Sequence, residues 1–194
     1  MTNSKIESIL NGELVIFPTD TVYGLGAIAE KKAIEKIYAI KKRDKSKKII
    51  ALISNIDKIK EITDEKIDEN ILKTFFPGPL TIITKSNDKF KDLVGDTVGI
   101  RMPNSKISLE IIEACGGILM TTSANISGEP SASTKEELSK TLLENVKNIF
   151  YTNNVLSGIP STIVSYIDKN YELIREGEIK YIDILKVGGK INEI

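Results

Sequence analysis

The sequence predicts an α/β domain built on a twisted, mixed β-sheet with flanking helices. Two observations carry that expectation. Short apolar runs of strand length alternate along the chain with stretches whose apolar residues recur at helical spacing. Gly and Pro punctuate the junctions between them, and neither an internal repeat nor a low-complexity linker interrupts the pattern. The 194 residues fit one large domain. The expected boundaries are a domain over residues 1–180 and a short tail over 181–194, too short for a second domain.

The elements follow in order. Residues 4–10 read as an opening helix ended by Gly12, and residues 14–17 as a strand stopped by Pro18. Residues 31–42 place Ala33, Ile34, Ile37, Tyr38 and Ile40 at helical spacing. Residues 49–53 form a buried strand, and helical stretches follow over 56–62 and 64–75. Pro77-Gly78-Pro79 forces a turn into a strand at 80–84. Another strand, 97–101, is closed by Met102-Pro103. Residues 105–115 read as a helix ended by Gly116-Gly117, before a strand at 118–121. Thr134-Lys135-Glu136-Glu137 has the pattern of a capping box opening the next helix. Strands at 148–151, 162–167 and 171–174 complete the sheet.

Composition narrows the chemistry. Lys+Arg and Asp+Glu both number 27, so the chain lacks the basic excess of a protein that wraps nucleic acid over a broad face. A single cysteine, Cys115, precludes an intrachain disulfide and a Cys-rich metal site. Histidine is missing altogether, which removes the usual general base, the usual zinc ligand and every Ser-His or Cys-His triad. Positioning, charge and carboxylates remain as the catalytic resource. The N-terminal residues lack the pattern of a secretory signal, and no apolar run reaches the length of a membrane span, so a cytoplasmic, non-membrane protein is expected.

Three segments suit ligand chemistry. In KKRDKSKK, residues 41–48, six of eight residues are basic. Such a run is ordinarily a solvated helix end, where cations also suit the helix dipole. Lys41, however, lies seven residues after Ile34 and so projects along the apolar stripe. The cluster also stands at a strand entrance, where Arg43 and Lys47 can converge with Lys41 on a triphosphate. The second segment, FPTDTVYGLG at 17–26, contains a formal G-x-G-x-x-A, but Pro18–Tyr23 intervenes between strand and glycines and Asp44 falls inside the basic cluster, so a dinucleotide fingerprint is rejected. It reads instead as a backbone loop whose Thr19 hydroxyl holds a small polar ligand, or as a plain turn with Asp20 as a local cap. The third, TTSANISGEPSAS at 121–133, puts Thr121 and Ser123 at a strand end, where α/β sheets bind ligands and where a polar surface loop is the plainer alternative. No GxxxxGK[ST] occurs, which excludes a Walker-type site. Arg101, at the end of an apolar strand, can grip a carboxylate or form a surface ion pair. Cys115 and Tyr38 read as packing residues.

Taken together, PTDTVYGLG, the K-x-R of Lys41 and Arg43, FPGPLT at 76–81, DTVGIRMP at 96–103, TSAN at 122–125, EPSAS at 129–133, PSTIV at 160–164 and IREG at 174–177 resemble the YrdC/Sua5 family of threonylcarbamoyl-adenylate synthases. The resemblance implies a YrdC-like fold with a concave, positively charged ligand cleft. It implies a nucleotidyltransferase joining L-threonine, bicarbonate or CO2, and ATP into threonylcarbamoyl-AMP and pyrophosphate. Transferase proteins of the tRNA t6A pathway, and tRNA itself, are the implied partners. It assigns catalysis to Lys41 and Arg43. ATP contacts fall to Lys41, Arg43, Lys47, Thr97, Ser123, Asn125, Ser131 and Arg175, with Asn125 touching nucleotide or metal. Threonine contacts fall to Thr19, Arg101, Thr121 and Ser161. Mg2+ accompanies ATP, with no zinc and no organic cofactor. Asp44 and Lys48 depart from the family pattern, which has proline after the K-x-R arginine and proline or glycine at the second position. With little chain after IREG, the sequence looks like the short form. The rivals are a YciO-like paralogue with another substrate, an RNA-binding module of the same fold, and the carbamoyl-transfer domain of hydrogenase-maturation proteins.

Overall fold

A computed structural model describes residues 3–188. The strands are β1 (Val15–Pro18), β2 (Tyr23–Ile28), β3 (Ile50–Ile53), β4 (Leu80–Lys85), β5 (Thr97–Arg101), β6 (Ile118–Ser123), β7 (Asn148–Ile149), β8 (Thr162–Ile167) and β9 (Asn170–Arg175). The helices are α1 (Asn3–Leu10), α2 (Lys31–Lys41), α3 (Glu69–Phe75), α4 (Asp88–Val94), α5 (Lys106–Ala114), α6 (Lys140–Asn145) and α7 (Tyr181–Val187), with a short 3₁₀ helix at Ile56–Glu61. The nine strands form one mixed sheet in the order β7-β1-β2-β6-β3-β5-β4-β8-β9. This is the mixed α/β architecture the alternating pattern predicts.

The central strands are buried on both faces and read as apolar runs, as in Ile50–Ile53. Helix α2 turns Ala33, Ile34, Ile37 and Lys41 into the core and ends where Lys42 adopts a left-handed conformation, φ 48°. Ser105 caps α5 by accepting a hydrogen bond from the Ser108 amide, and α5 buries Ile111 and Ile112.

Several local expectations are corrected. Strand β2 occupies what reads as a loop, because Gly24 and Gly26 hide its alternation. A Cβ at Gly26 would stand 3.0 Å from the Phe17 ring and 3.1 Å from Thr121 Oγ1, so the glycines mark close approach between strands. The Thr134–Glu137 segment is not helical. The Glu137 carboxylate accepts from the amides of Ser133 and Thr134 as a capping carboxylate would. Helix α6 nevertheless starts at Lys140, behind Ser139 as its N-cap. The helix expected over 64–75 begins only at Glu69, where the Asp68 side chain caps it. Helix α4 carries no strong apolar stripe and was not expected. Helix α7 lies within the segment read as a tail, yet its Ile184 is fully buried in the core. The tail residues 189–194 lie outside the described residues.

The cross-strand register gathers one set of side chains on one face of the sheet. Gly24 pairs with Ser123 and Gly26 with Thr121. Thr121 also pairs with Ile50, and Ile50 with Gly99. Leu52 pairs with Arg101, Ile83 with Gly99, Thr81 with Ile163, and Ile163 with Arg175. Because side chains alternate across a strand, these positions all face the same way.

Candidate active site

That face floors a cavity of about 230 Å³. Among the described residues, four cationic side chains line it, Arg43, Lys48, Arg101 and Arg175, and no carboxylate does. Hydroxyls supply most of the remaining polarity: Thr19, Thr21, Thr81, Thr121, Thr122, Ser123, Ser131 and Ser161. Val22, Ile50, Leu52, Pro160 and Ile163 give it apolar walls.

Arg101 is the fixed point. Its guanidinium is buried at the end of β5, and each nitrogen is held. Nε donates to the Gly78 carbonyl at 3.0 Å, one terminal nitrogen to Thr21 Oγ1 at 3.0 Å, and the other to Asp20 Oδ1 at 2.5 Å. Burial pushes its pKa down and Asp20 pushes it back up. A guanidinium has five N–H donors, so two remain for a ligand. Asp20 is thus the counter-ion of Arg101 and not merely a turn cap.

The hydroxyls around Arg101 are held by the protein's own hydrogen bonds. Thr19 Oγ1 donates to the Val22 carbonyl at 2.7 Å and accepts from the Thr21 and Val22 amides, which folds the 19–22 turn around it. Thr81 and Ser161 share a hydrogen bond of 2.8 Å at the cavity floor. Thr121 Oγ1 donates to the Leu119 carbonyl. Arg175 donates twice to the Ser161 carbonyl, at 2.8 and 3.3 Å, and so ties β9 to the loop entering β8.

The basic cluster divides by geometry. Arg43 lines the cavity while its Nε and one terminal nitrogen close the loop on the Lys47 and Lys48 carbonyls. Lys48 also lines it, and its ammonium reaches the Val94 carbonyl at the end of α4. Lys47 is exposed and outside the cavity wall, and its carbonyl also accepts from Tyr38. Lys41 is buried, as its helical phase requires, but does not line the cavity. Its ammonium donates to the Ser123 carbonyl, the Asn125 carbonyl and Asn125 Oδ1. In the structure the Lys41 ammonium is directed to the loop after β6, and Arg43 lines the cavity. Burial, and next the charge of Arg43, pull the Lys41 pKa down to about 7, with Glu129 opposing.

Asn125 stands behind Ser123, accepting from the Ser123 hydroxyl and donating to the Ile126 and Glu129 carbonyls. Thr97 shares the cavity face of β5 with Arg101 but lies four residues away, outside the wall. Of the residues that the sequence points to, the structure gathers Thr19, Arg43, Arg101, Thr121, Ser123, Ser131, Ser161 and Arg175 in one cavity and leaves Lys41, Lys47, Thr97 and Asn125 off its surface. The sequence reading missed Asp20, Thr21, Lys48 and Thr81. Asp20 and Arg101 are 81 residues apart, and no local pattern links them. The only signal for Lys48 was its place in the basic run.

The Sua5/YciO/YrdC model, described as "Telomere recombination", matches residues 7–177. The chain belongs to the Sua5/YciO/YrdC family. A Methanocaldococcus jannaschii protein provisionally named threonylcarbamoyl-AMP synthase is 38% identical over 178 residues, covering 89% of this chain and 84% of that protein. The Pyrococcus abyssi threonylcarbamoyl-AMP synthase is 33% identical, and the match covers 94% of this chain but 56% of that longer protein. The crystal structure of P. abyssi Sua5 complexed with L-threonine superposes with a TM-score of 0.88 at 31% identity, over 96% of this chain and 56% of that one. E. coli YciO shares the fold at a TM-score of 0.81 and 24% identity, covering 95% of this chain and 91% of its own.

Proposed function

We propose that this chain is a threonylcarbamoyl-AMP synthase, a nucleotidyltransferase that joins L-threonine, bicarbonate or CO2, and ATP with release of pyrophosphate. One observation carries the reading. A buried, carboxylate-anchored arginine with spare donors shares a hydroxyl-rich cavity with three further cations, in a family whose relatives bear that activity as their name.

Arg101 suits an amino-acid carboxylate, because a pre-positioned guanidinium fork binds carboxylate geometry at little entropic cost. Thr19, Thr121 and Ser161 surround that point, and Leu52, paired with Arg101, offers an apolar contact for a side-chain methyl. Arg43, Lys48 and Arg175 suit the triphosphate, with Ser123 and Ser131 as neutral donors. Mg2+ would arrive on the phosphates, which carry the hard oxygen ligands it prefers; the cavity hydroxyls are compatible with its water shell.

In the reaction, the threonine amine adds to CO2, forming an N–C bond and releasing a proton to solvent. The carbamate oxygen then attacks the α-phosphorus, the bond to the bridging oxygen breaks, and pyrophosphate leaves with that electron pair. Such a transfer needs alignment and charge neutralisation rather than a protein nucleophile, so a chain without histidine can perform it. The product would pass to the threonylcarbamoyl transferase of tRNA t6A synthesis.

The test is pyrophosphate release with ATP, bicarbonate and L-threonine. Release should require both threonine and bicarbonate and fall steeply in Arg43→Ala. Release indifferent to threonine would refute the assignment.

A further inference from the structure

We infer that Thr81 is a positioning residue for the amino-acid substrate. It donates its hydroxyl proton to Ser161 Oγ, and so leaves the Ser161 proton pointing into the cavity, towards the carboxylate of the amino acid. The inference rests on the threonine site proposed above, and it gives a role to a residue that the sequence did not single out.

The two hydroxyl oxygens lie 2.8 Å apart, and that distance alone allows either to be the donor. Burial fixes the direction. Thr81 forms part of the cavity floor but is 0% exposed, and among the described residues its hydroxyl has Ser161 as its one partner. If Ser161 donated, the Thr81 proton would be buried without an acceptor, which folded proteins avoid. If Thr81 donates, the Ser161 proton faces the cavity, where a ligand or solvent can accept it. Charge points the same way. The cavity is lined by cations and, among the described residues, by no carboxylate, so it favours an anionic ligand, whose oxygens need donors. The rest of the arrangement comes from the same strand entrance. The Thr81 methyl faces Gly99 on β5, where an added Cβ would stand 3.2 Å from Thr81 Cγ2. The Gly78 carbonyl accepts from Arg101 Nε at 3.0 Å, and the Pro79 carbonyl accepts from the Thr162 amide at 2.9 Å. Arg175 donates to the Ser161 carbonyl as well. Residues 78–81 thus align Arg101 and Ser161 with each other, through two main-chain carbonyls and one buried hydroxyl.

The first test is NMR of hydroxyl protons in the intact, ligand-free chain. A slowly exchanging hydroxyl proton should couple to Thr81 Hβ and lose its protection in Ser161→Ala. A protected proton on Ser161, or none on Thr81, would overturn the inference. Titration with L-threonine is the second test. Thr81→Val keeps the shape and removes the donor, so it should weaken threonine binding about tenfold and leave ATP binding unchanged. Thr81→Ser keeps the donor and should bind threonine within about twofold of wild type. In a Ser161→Ala background, Thr81→Val should add less than about twofold, because Thr81 acts through that hydroxyl. A loss that persists in full in the Ser161→Ala background, a Thr81→Ser as weak as Thr81→Val, or a parallel loss of ATP binding would each show a merely structural role and overturn the inference. If the wild-type protein binds no L-threonine, the proposed function falls, while the protected proton still decides which hydroxyl donates.

Discussion

Asp20→Ala should destabilise the protein far more than the loss of an ordinary turn residue. The change strips the counter-ion from Arg101, whose side chain is 6% exposed, while that of Asp20 is 15% exposed. Removing one partner of a buried pair leaves an uncompensated charge, which typically costs about 3–5 kcal/mol. Arg101 keeps its bonds to Gly78 and Thr21, so the lower end of that range, about 3 kcal/mol, applies. For a chain of this size each kcal/mol shifts the melting temperature by roughly 2–4 °C, giving a fall of about 6–12 °C. Urea unfolding of wild type and variant at low and high salt is the assay. The loss should persist in salt, because a buried pair is screened little. A change below about 1 kcal/mol, or one that vanishes in salt, would show that the pair behaves as a solvated surface contact and that Arg101 is not a pre-positioned anchor.

Three further outcomes follow from other parts of the site. Gly99→Ala would bring a Cβ to 2.8 Å from Ile50 Cγ2 and 3.2 Å from Thr81 Cγ2 on the cavity floor. It should cost about 1–3 kcal/mol in denaturant unfolding and raise the KM for threonine. Thr162 Oγ1 donates to the Ile179 carbonyl and accepts from the Gly177 and Ile179 amides, so Thr162→Val should cost about 2 kcal/mol and speed exchange around α7. Lys41 titrates near 7 when folded, against an ordinary 10.5, with Arg43 and Glu129 as its charged neighbours. Between those values the unfolded chain binds the extra proton, so wild type should gain stability relative to Lys41→Met as pH rises from about 7 towards 10. Parallel stability–pH curves would contradict the burial of its charge.

The fold was legible wherever one period dominated. Residues 97–101 and 162–167 emerged as strands because β-rich runs met clear turn residues, and α2 because its apolar residues kept helical phase. Strand β2 was not legible, since its glycines answer to the Phe17 ring and Thr121 across the sheet, contacts that local sequence does not express. Glu137 illustrates the opposite failure, a capping carboxylate whose helix begins later because Ser139 supplies a better-placed cap. In the site, residues at strand ends were found through their position, and phase placed Lys41 inside. Phase could not say what its ammonium meets. That depended on a loop more than 80 residues away in sequence, as did the pairing of Asp20 with Arg101.

The most direct test of the account is product identification by mass spectrometry after incubating the purified chain with ATP, Mg2+, L-threonine and isotopically labelled bicarbonate. The account predicts an adenylate whose mass contains AMP, threonine and one labelled carbon, formed together with pyrophosphate and lost in an Arg101→Met variant. ATP turnover that yields no threonine-containing adenylate, or an adenylate without the labelled carbon, would contradict it.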